Sequence, residues 1–258
     1  MNPYHYKMFG TEHLISMLVV ALVGMLIIFS VKILCNHQQK RLISVYLGLL
    51  LIIPEIPDLL YRTYILIEPV KNNLPLHLCG VSLYIIAFSL LTKSYSAFEI
   101  AYFWGLGGAL MALLSPGDIF YFPHMLNIIF YSSHSLIVIG VLYMVFIFGY
   151  RPTWRSLVKA SVLNILYMAI IAPINLLLDT NYLFICYKPK GSTFIDFMGP
   201  WPWYIFSMAV AGVVFYSILY TPYFIKDLLK SPATNGRGIK TDITGLMNKS
   251  QRADICDT

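Results

Sequence analysis

Apolar residues run along this chain in stretches of about 18 or more, one after another, broken only by short polar or proline-bearing segments. A helix needs about 20 such residues to cross the ~30 Å hydrocarbon layer of a bilayer. The stretches are continuous and do not alternate with period two, which favours helices over the strands of a closed barrel; lipid allows only those two, because each pairs every backbone group. The pattern predicts seven spans: Leu14 to Leu34, Leu42 to Ile65, Leu76 to Leu91, Phe98 to Leu114, Phe122 to Gly149, Leu157 to Leu178 and Trp203 to Phe224. The expected fold is all-α, a polytopic seven-helix transmembrane bundle over residues 1–230. Beyond it, Ser231 to Thr258 turns polar and Gly/Ser/Thr-rich with no apolar period, which reads as a disordered cytoplasmic tail.

Composition agrees with lipid as the main solvent: 58% of the 258 residues are hydrophobic and 12% charged, about half the charged share of a soluble domain. Mean hydropathy is +0.71. The formal charge of +6 does not gather into a patch, so a nucleic-acid partner is not expected and topology explains the cations better. In the seven-span arrangement thirteen Lys and Arg fall on one side and five, Lys7, Arg62, Lys71, Lys188 and Lys190, on the other. Positive loops stay in the cytoplasm, so the N-terminus is expected outside and the C-terminus inside. The four cysteines, Cys35, Cys79, Cys186 and Cys256, show neither CxxC nor metal-ligand spacing, and a disulfide framework is not expected. The first apolar run is too long for a signal-peptide core and lacks a small-residue cleavage site.

Ionisable groups at bilayer depth are expensive, so their positions carry the functional information. The second span has Glu55, Asp58 and Arg62 at i, i+3 and i+7, one helical face near the outer end, flanked by Pro54 and Pro57. They read either as a mutually neutralised structural set or as the polar wall of an outward-facing cavity. The third span opens Pro75-Leu76-His77-Leu78-Cys79, with an imidazole and a thiol inside one turn. His77 alone reads as an interfacial histidine, and Cys79 alone as a small buried residue.

The fifth span carries His124 at its mouth, then Asn127, Tyr131 and His134 as a stripe reaching about 15 Å inward at ~1.5 Å per residue. The sixth repeats the theme with Asn164, Tyr167, Asn175 and Asp179. Asp118, Lys188 and Lys190 belong to the same outer side. Most intramembrane polarity therefore points to one outward-opening cavity between the second, third, fifth and sixth spans. By contrast Ala101, Gly105 and Ala109 form a small-residue ridge suited to close helix packing, and Gly199-Pro200-Trp201-Pro202-Trp203 a stiff turn whose indoles suit the headgroup level.

Three chemistries fit such a cavity. In acyl transfer a thiolate attacks an ester, a histidine takes the proton and donors hold the oxyanion. Zinc hydrolysis would use three histidines with Asp118, although HxxxH spacing is absent. Transport would use the same polar groups to coordinate a substrate or protons. No resident cofactor is called for.

Several segments together carry a resemblance: Leu74-Pro75-Leu76-His77-Leu78-Cys79, Gly108-Ala109-Leu110-Met111-Ala112-Leu113-Leu114-Ser115-Pro116, Tyr131-Ser132-Ser133-His134, and Asn181-Tyr182-Leu183 leading to Gly199-Pro200-Trp201. Over roughly Glu12 to Phe224 the chain resembles the YwaF-type bacterial integral membrane proteins, themselves similar to a eukaryotic transmembrane acyltransferase that moves polyunsaturated acyl chains between phospholipids without coenzyme A. The resemblance implies that His134 matches a functional histidine. The eukaryotic nucleophile's position is held here by Leu76, and Cys79, about one turn further, is the candidate substitute. The resulting expectation is a phospholipid acyl-transfer enzyme. Cys79 is its nucleophile and His134, assisted by His77, its base. Glu55, Asp58, Arg62, Asn127, Tyr131, Asn175 and Lys188 serve substrate binding, and membrane phospholipids are the partners. A non-enzymatic transporter or small-ligand protein, and a zinc-dependent lipid hydrolase, are the alternatives.

Overall fold

The computed structural model describes residues 9–116, 121–188 and 194–230. Every regular element among them is helical: α1 (Thr11–Leu34), α2 (His37–Ile52), α3 (Glu55–Leu60) continued by a π-helical turn (Tyr61–Ile65), α4 (Leu78–Thr92), α5 (Tyr95–Leu114), α6 (Met125–Phe146), α7 (Trp154–Leu178) and α8 (Trp203–Lys230), with short 3-10 turns in the connections. Among the described residues six stretches are long and apolar enough to cross a membrane, and α4 is a shorter apolar helix of 15 residues, about 22 Å long at ~1.5 Å per residue. The protein is an integral, multi-pass membrane protein. The chain divides into two units, residues 1–220 and 221–258. Of the second, residues 221–230 are described and helical. The expected tail, and Lys7, Asp118, Lys190 and Cys256, lie outside the described residues.

Several helices begin earlier than their apolar runs, because polar caps start them. Asn36 accepts from Gln39 N at 2.9 Å while the Gln39 side chain accepts from Asn36 N at 2.8 Å, so α2 starts at His37. Thr153 and Ser156 make the same reciprocal pair at the head of α7, and Ser94 accepts from Ala97 N at the head of α5. Between α2 and α3 the chain breaks at Pro54, which has no N–H to continue the ladder. Lys93 ends α4 in the left-handed region, φ 58°.

The core lies along α5 and its contacts with α4 and α6. Phe98, Ala101, Phe103 and Ala109 are fully buried. The small-residue ridge packs as its spacing predicts: a Cβ on Gly105 would meet Ile86 Cδ1 at 2.9 Å, and one on Gly140 of α6 would meet Ile86 Cγ2 at 2.8 Å. Ile86 of α4 thus fills two glycine notches at once. At the end of these helices near α2's start, hydroxyls tie neighbours together: Tyr150 donates to Lys93 O at 2.6 Å, Tyr95 to Arg151 O at 2.7 Å, and Tyr143 to Lys40 O. At the opposite end buried His13 accepts from Phe9 N at 2.9 Å and its Nε2 meets Leu113 O at 2.7 Å, joining α1 to the last turn of α5.

Candidate functional site

The break at Pro54 resets the helix so that α3 and the π-helical turn present Glu55, Asp58 and Arg62 toward α4 and α6. A cavity of about 150 Å³ opens there, and Cys79, Ser133 and His134 share its wall with those three. That volume equals a sphere about 7 Å across, room for a few waters or one ester group but not for an acyl chain. Arg62 Nε donates to both oxygens of Asp58 at 3.0 Å, and its Nη1 stands 3.7 Å from Glu68. Glu55 has neither an ion pair nor a hydrogen bond among the described residues.

His134 is held by its own helix. Its Nδ1 lies 2.8 Å from Phe130 O and 3.2 Å from Ser133 Oγ, and its ring stacks on Phe130 at 4.3 Å. A carbonyl oxygen only accepts, so Nδ1 carries the hydrogen and Nε2 the lone pair of the neutral ring. Cys79 is the second residue of α4, with its Sγ turned toward Gly108 of α5, where an added Cβ would come within 3.0 Å. The first backbone bond of α4 is Val81 N to His77 O, and the amides of Leu78 and Gly80 have no backbone acceptor among the described residues. Gly80 lines the cavity. Gly80 is needed there: a Cβ would stand 3.1 Å from both Cα and O of Pro75.

The structure thus brings together Glu55, Asp58, Arg62, Cys79 and His134. The other five expected residues stand elsewhere. His77 caps α4, accepts from Leu183 N at 3.4 Å and packs between the rings of Tyr182 (5.1 Å) and Phe184 (5.2 Å). Asn127 and Tyr131 are buried on a face of α6 rotated from the one that carries Phe130, Ser133 and His134. Asn175 organises the connection after α7: its carbonyl oxygen accepts from Tyr182 N at 2.8 Å and Thr180 Oγ1 at 2.9 Å, and its amide donates to Tyr182 O at 2.9 Å. Lys188 donates to Asp196 O and lies over the Tyr204 ring.

Tyr167, read from the sequence as part of the sixth span's polar stripe, and Tyr182 secure the segment ahead of α4. The Tyr182 hydroxyl donates to Lys71 O at 2.5 Å and accepts from Leu74 N at 3.0 Å, while Tyr167 donates to Leu76 O at 2.8 Å. Burial pushes the Tyr182 phenol up, and the Leu74 amide offsets part of that shift. Leu76 packs against the buried cluster of Ile171, Tyr182 and Ile185. The α7–α8 connection is therefore strapped onto the segment that starts α4. A tyrosine at a span's end usually signals only the interface, so nothing in the pattern singled out Tyr182. Among the described residues no group of three or more His, Cys, Asp or Glu comes together as a metal site requires.

A model of the TMEM164 family matches residues 8–220 of the chain. No curated protein and no solved structure matches it.

Proposed function

The chain belongs to the TMEM164 family, and from that premise we propose that it is a phospholipid acyl-transfer enzyme with Cys79 as nucleophile and His134 as base. The observation that carries this reading is the shared cavity: Cys79 and the tautomer-fixed His134, from different helices, line one ester-sized hollow. His134 Nε2 takes the thiol proton as Cys79 attacks the ester carbonyl. The Gly80 amide, at the positive end of α4 and without a backbone acceptor, is placed to hold the oxyanion. Asp58 and Arg62 form the polar wall beside the headgroup, and the acyl chains stay in the bilayer, since the cavity is too small for them.

The likeness to YwaF-type proteins, and through them to the coenzyme-A-independent eukaryotic enzyme, supports the same reading. So does the placing of Leu76, which stands at that enzyme's nucleophile position but packs into an apolar cluster, while Cys79 lines the cavity. In this reading α4 is the seventh span, short enough to start below the membrane surface, with the cavity opening toward the outer leaflet. His77 acts through position, as the cap of α4. Membrane phospholipids are the substrates.

The test is incubation of the reconstituted protein with a labelled phospholipid and an unlabelled lysophospholipid. Movement of label is expected in the wild type and in Lys93→Ala, whose amine lies over the Phe148 ring away from the cavity. His134→Ala is expected to lower the rate by about 10²-fold or more. Label movement unchanged in His134→Ala would refute the proposal.

A further inference from the structure

The segment after Pro54 carries three carboxyl groups, Glu55, Asp58 and Glu68, and one guanidinium. Both oxygens of Asp58 are taken by Arg62 Nε at 3.0 Å, and the same guanidinium lies 3.7 Å from Glu68. Glu55 is left over: it lines the cavity with Cys79 and His134, and no cation or donor among the described residues reaches it. Ionising a carboxyl group in a membrane span without a partner is costly. Such a group meets a guest as an O–H donor, where Asp58 meets it as a neutralised anion.

The proposed reaction has a vacancy for that group. A glycerol alkoxide is a poor leaving group, and it needs a proton as the ester bond breaks. We propose that Glu55 is the acid and base for the glycerol oxygen, a role that rests on the acyl-transfer reading above. In the first half the Cys79 proton passes to His134 Nε2 as the S–C bond forms. The C–O bond then breaks, its electron pair stays on the glycerol oxygen, and that oxygen takes the Glu55 proton. The site now holds a thioester, an imidazolium and a carboxylate, the two charges compensating each other inside one small cavity.

In the second half the Glu55 carboxylate takes the hydroxyl proton of an incoming lysophospholipid as its oxygen attacks the thioester. The C–S bond breaks, and sulfur recovers its proton from His134. All three side chains return to their starting forms, no proton is exchanged with bulk water, and no coenzyme is consumed. The two-group arrangement divides the work by position, with His134 serving sulfur and Glu55 serving the glycerol oxygen.

The experiment compares two acyl donors of the same chain in Glu55→Gln, a substitution that keeps shape but has no proton to give. One donor is a phospholipid, whose leaving oxygen needs protonation. The other is the p-nitrophenyl ester, whose leaving group departs without it. Acyl-enzyme formation from the phospholipid is expected to slow about 100-fold or more, while the burst of nitrophenolate changes by less than about threefold. In parallel, dicyclohexylcarbodiimide, which adds to protonated carboxyl groups in apolar surroundings, is expected to label Glu55 and not Asp58 in the wild type. Equal losses with both donors, no loss with the phospholipid, or labelling of Asp58 in place of Glu55 would overturn the inference. A wild type that takes acyl chains from neither donor would overturn the acyl-transfer reading itself, and this role with it; an active wild type with symmetrical losses in Glu55→Gln would overturn this role alone. The carbodiimide readout uses the native protein, so the inference stays open to refutation even where Glu55→Gln fails to fold.

Discussion

Replacing Gly80 by alanine tests whether the close approach of the Pro75 backbone to α4 sets the geometry at Cys79. The new Cβ would stand 3.1 Å from Pro75 Cα, 3.1 Å from its O and 3.2 Å from its C, all main-chain atoms with no side-chain freedom to yield. The segment that must retreat is also fixed by Tyr182 at Leu74 N and by Tyr167 at Leu76 O. Overpacking of this kind costs about 1–3 kcal/mol, and alanine's helix propensity returns at most about 1 kcal/mol, so with the full return the net loss is about 0–2 kcal/mol. Gly24 of α1 gives the opposite sign. A Cβ there meets only Ile139 side-chain atoms, at 3.4 and 3.9 Å, which is ordinary contact, so Gly24→Ala should gain about 0.5–1 kcal/mol. Thermal unfolding of both variants in one detergent decides the matter. A Gly80→Ala midpoint above that of the wild type would refute the reasoning.

Further outcomes follow from the polar ties. Tyr182→Phe removes the acceptor of Leu74 N and the donor to Lys71 O; a loss of about 1–3 kcal/mol is expected, with faster hydrogen exchange at the Leu74 amide, and unchanged exchange would count against the strap. Lys159 donates to Glu99 at 2.8 Å across α5 and α7, with side chains 34% and 15% exposed, so Lys159→Met should cost about 1–2 kcal/mol. Adding Glu99→Gln should recover part of that, and an additive double variant would refute the coupling.

The helical membrane architecture was legible because apolar run length is a direct consequence of bilayer thickness. The span starts were less so: Asn36, Ser94 and Thr153 begin helices in polar sequence, since a cap works through hydrogen bonds and not through hydropathy. Glu55, Asp58, Arg62, Cys79 and His134 were recognisable as costly groups, and they do share a hollow. The stripe of Asn127, Tyr131 and His134 misled by rotation, because a seven-residue spacing drifts around a straight helix and neighbouring packing chooses which edge faces the cavity. Asn175 and Lys188 have the polarity of a binding site, yet they serve the loop between α7 and α8. That loop's hydrogen bonds depend on left-handed backbone at Leu183 and Phe184, φ 60° and 55°, which no periodicity announces.

The most direct measurement is the intact mass of the protein after incubation with a phospholipid of one defined acyl chain, followed by peptide mapping. A single acyl adduct on Cys79, cleaved by hydroxylamine and absent from Cys79→Ala, is the predicted result. An adduct on another residue, or full acyl transfer by Cys79→Ala, would contradict the account.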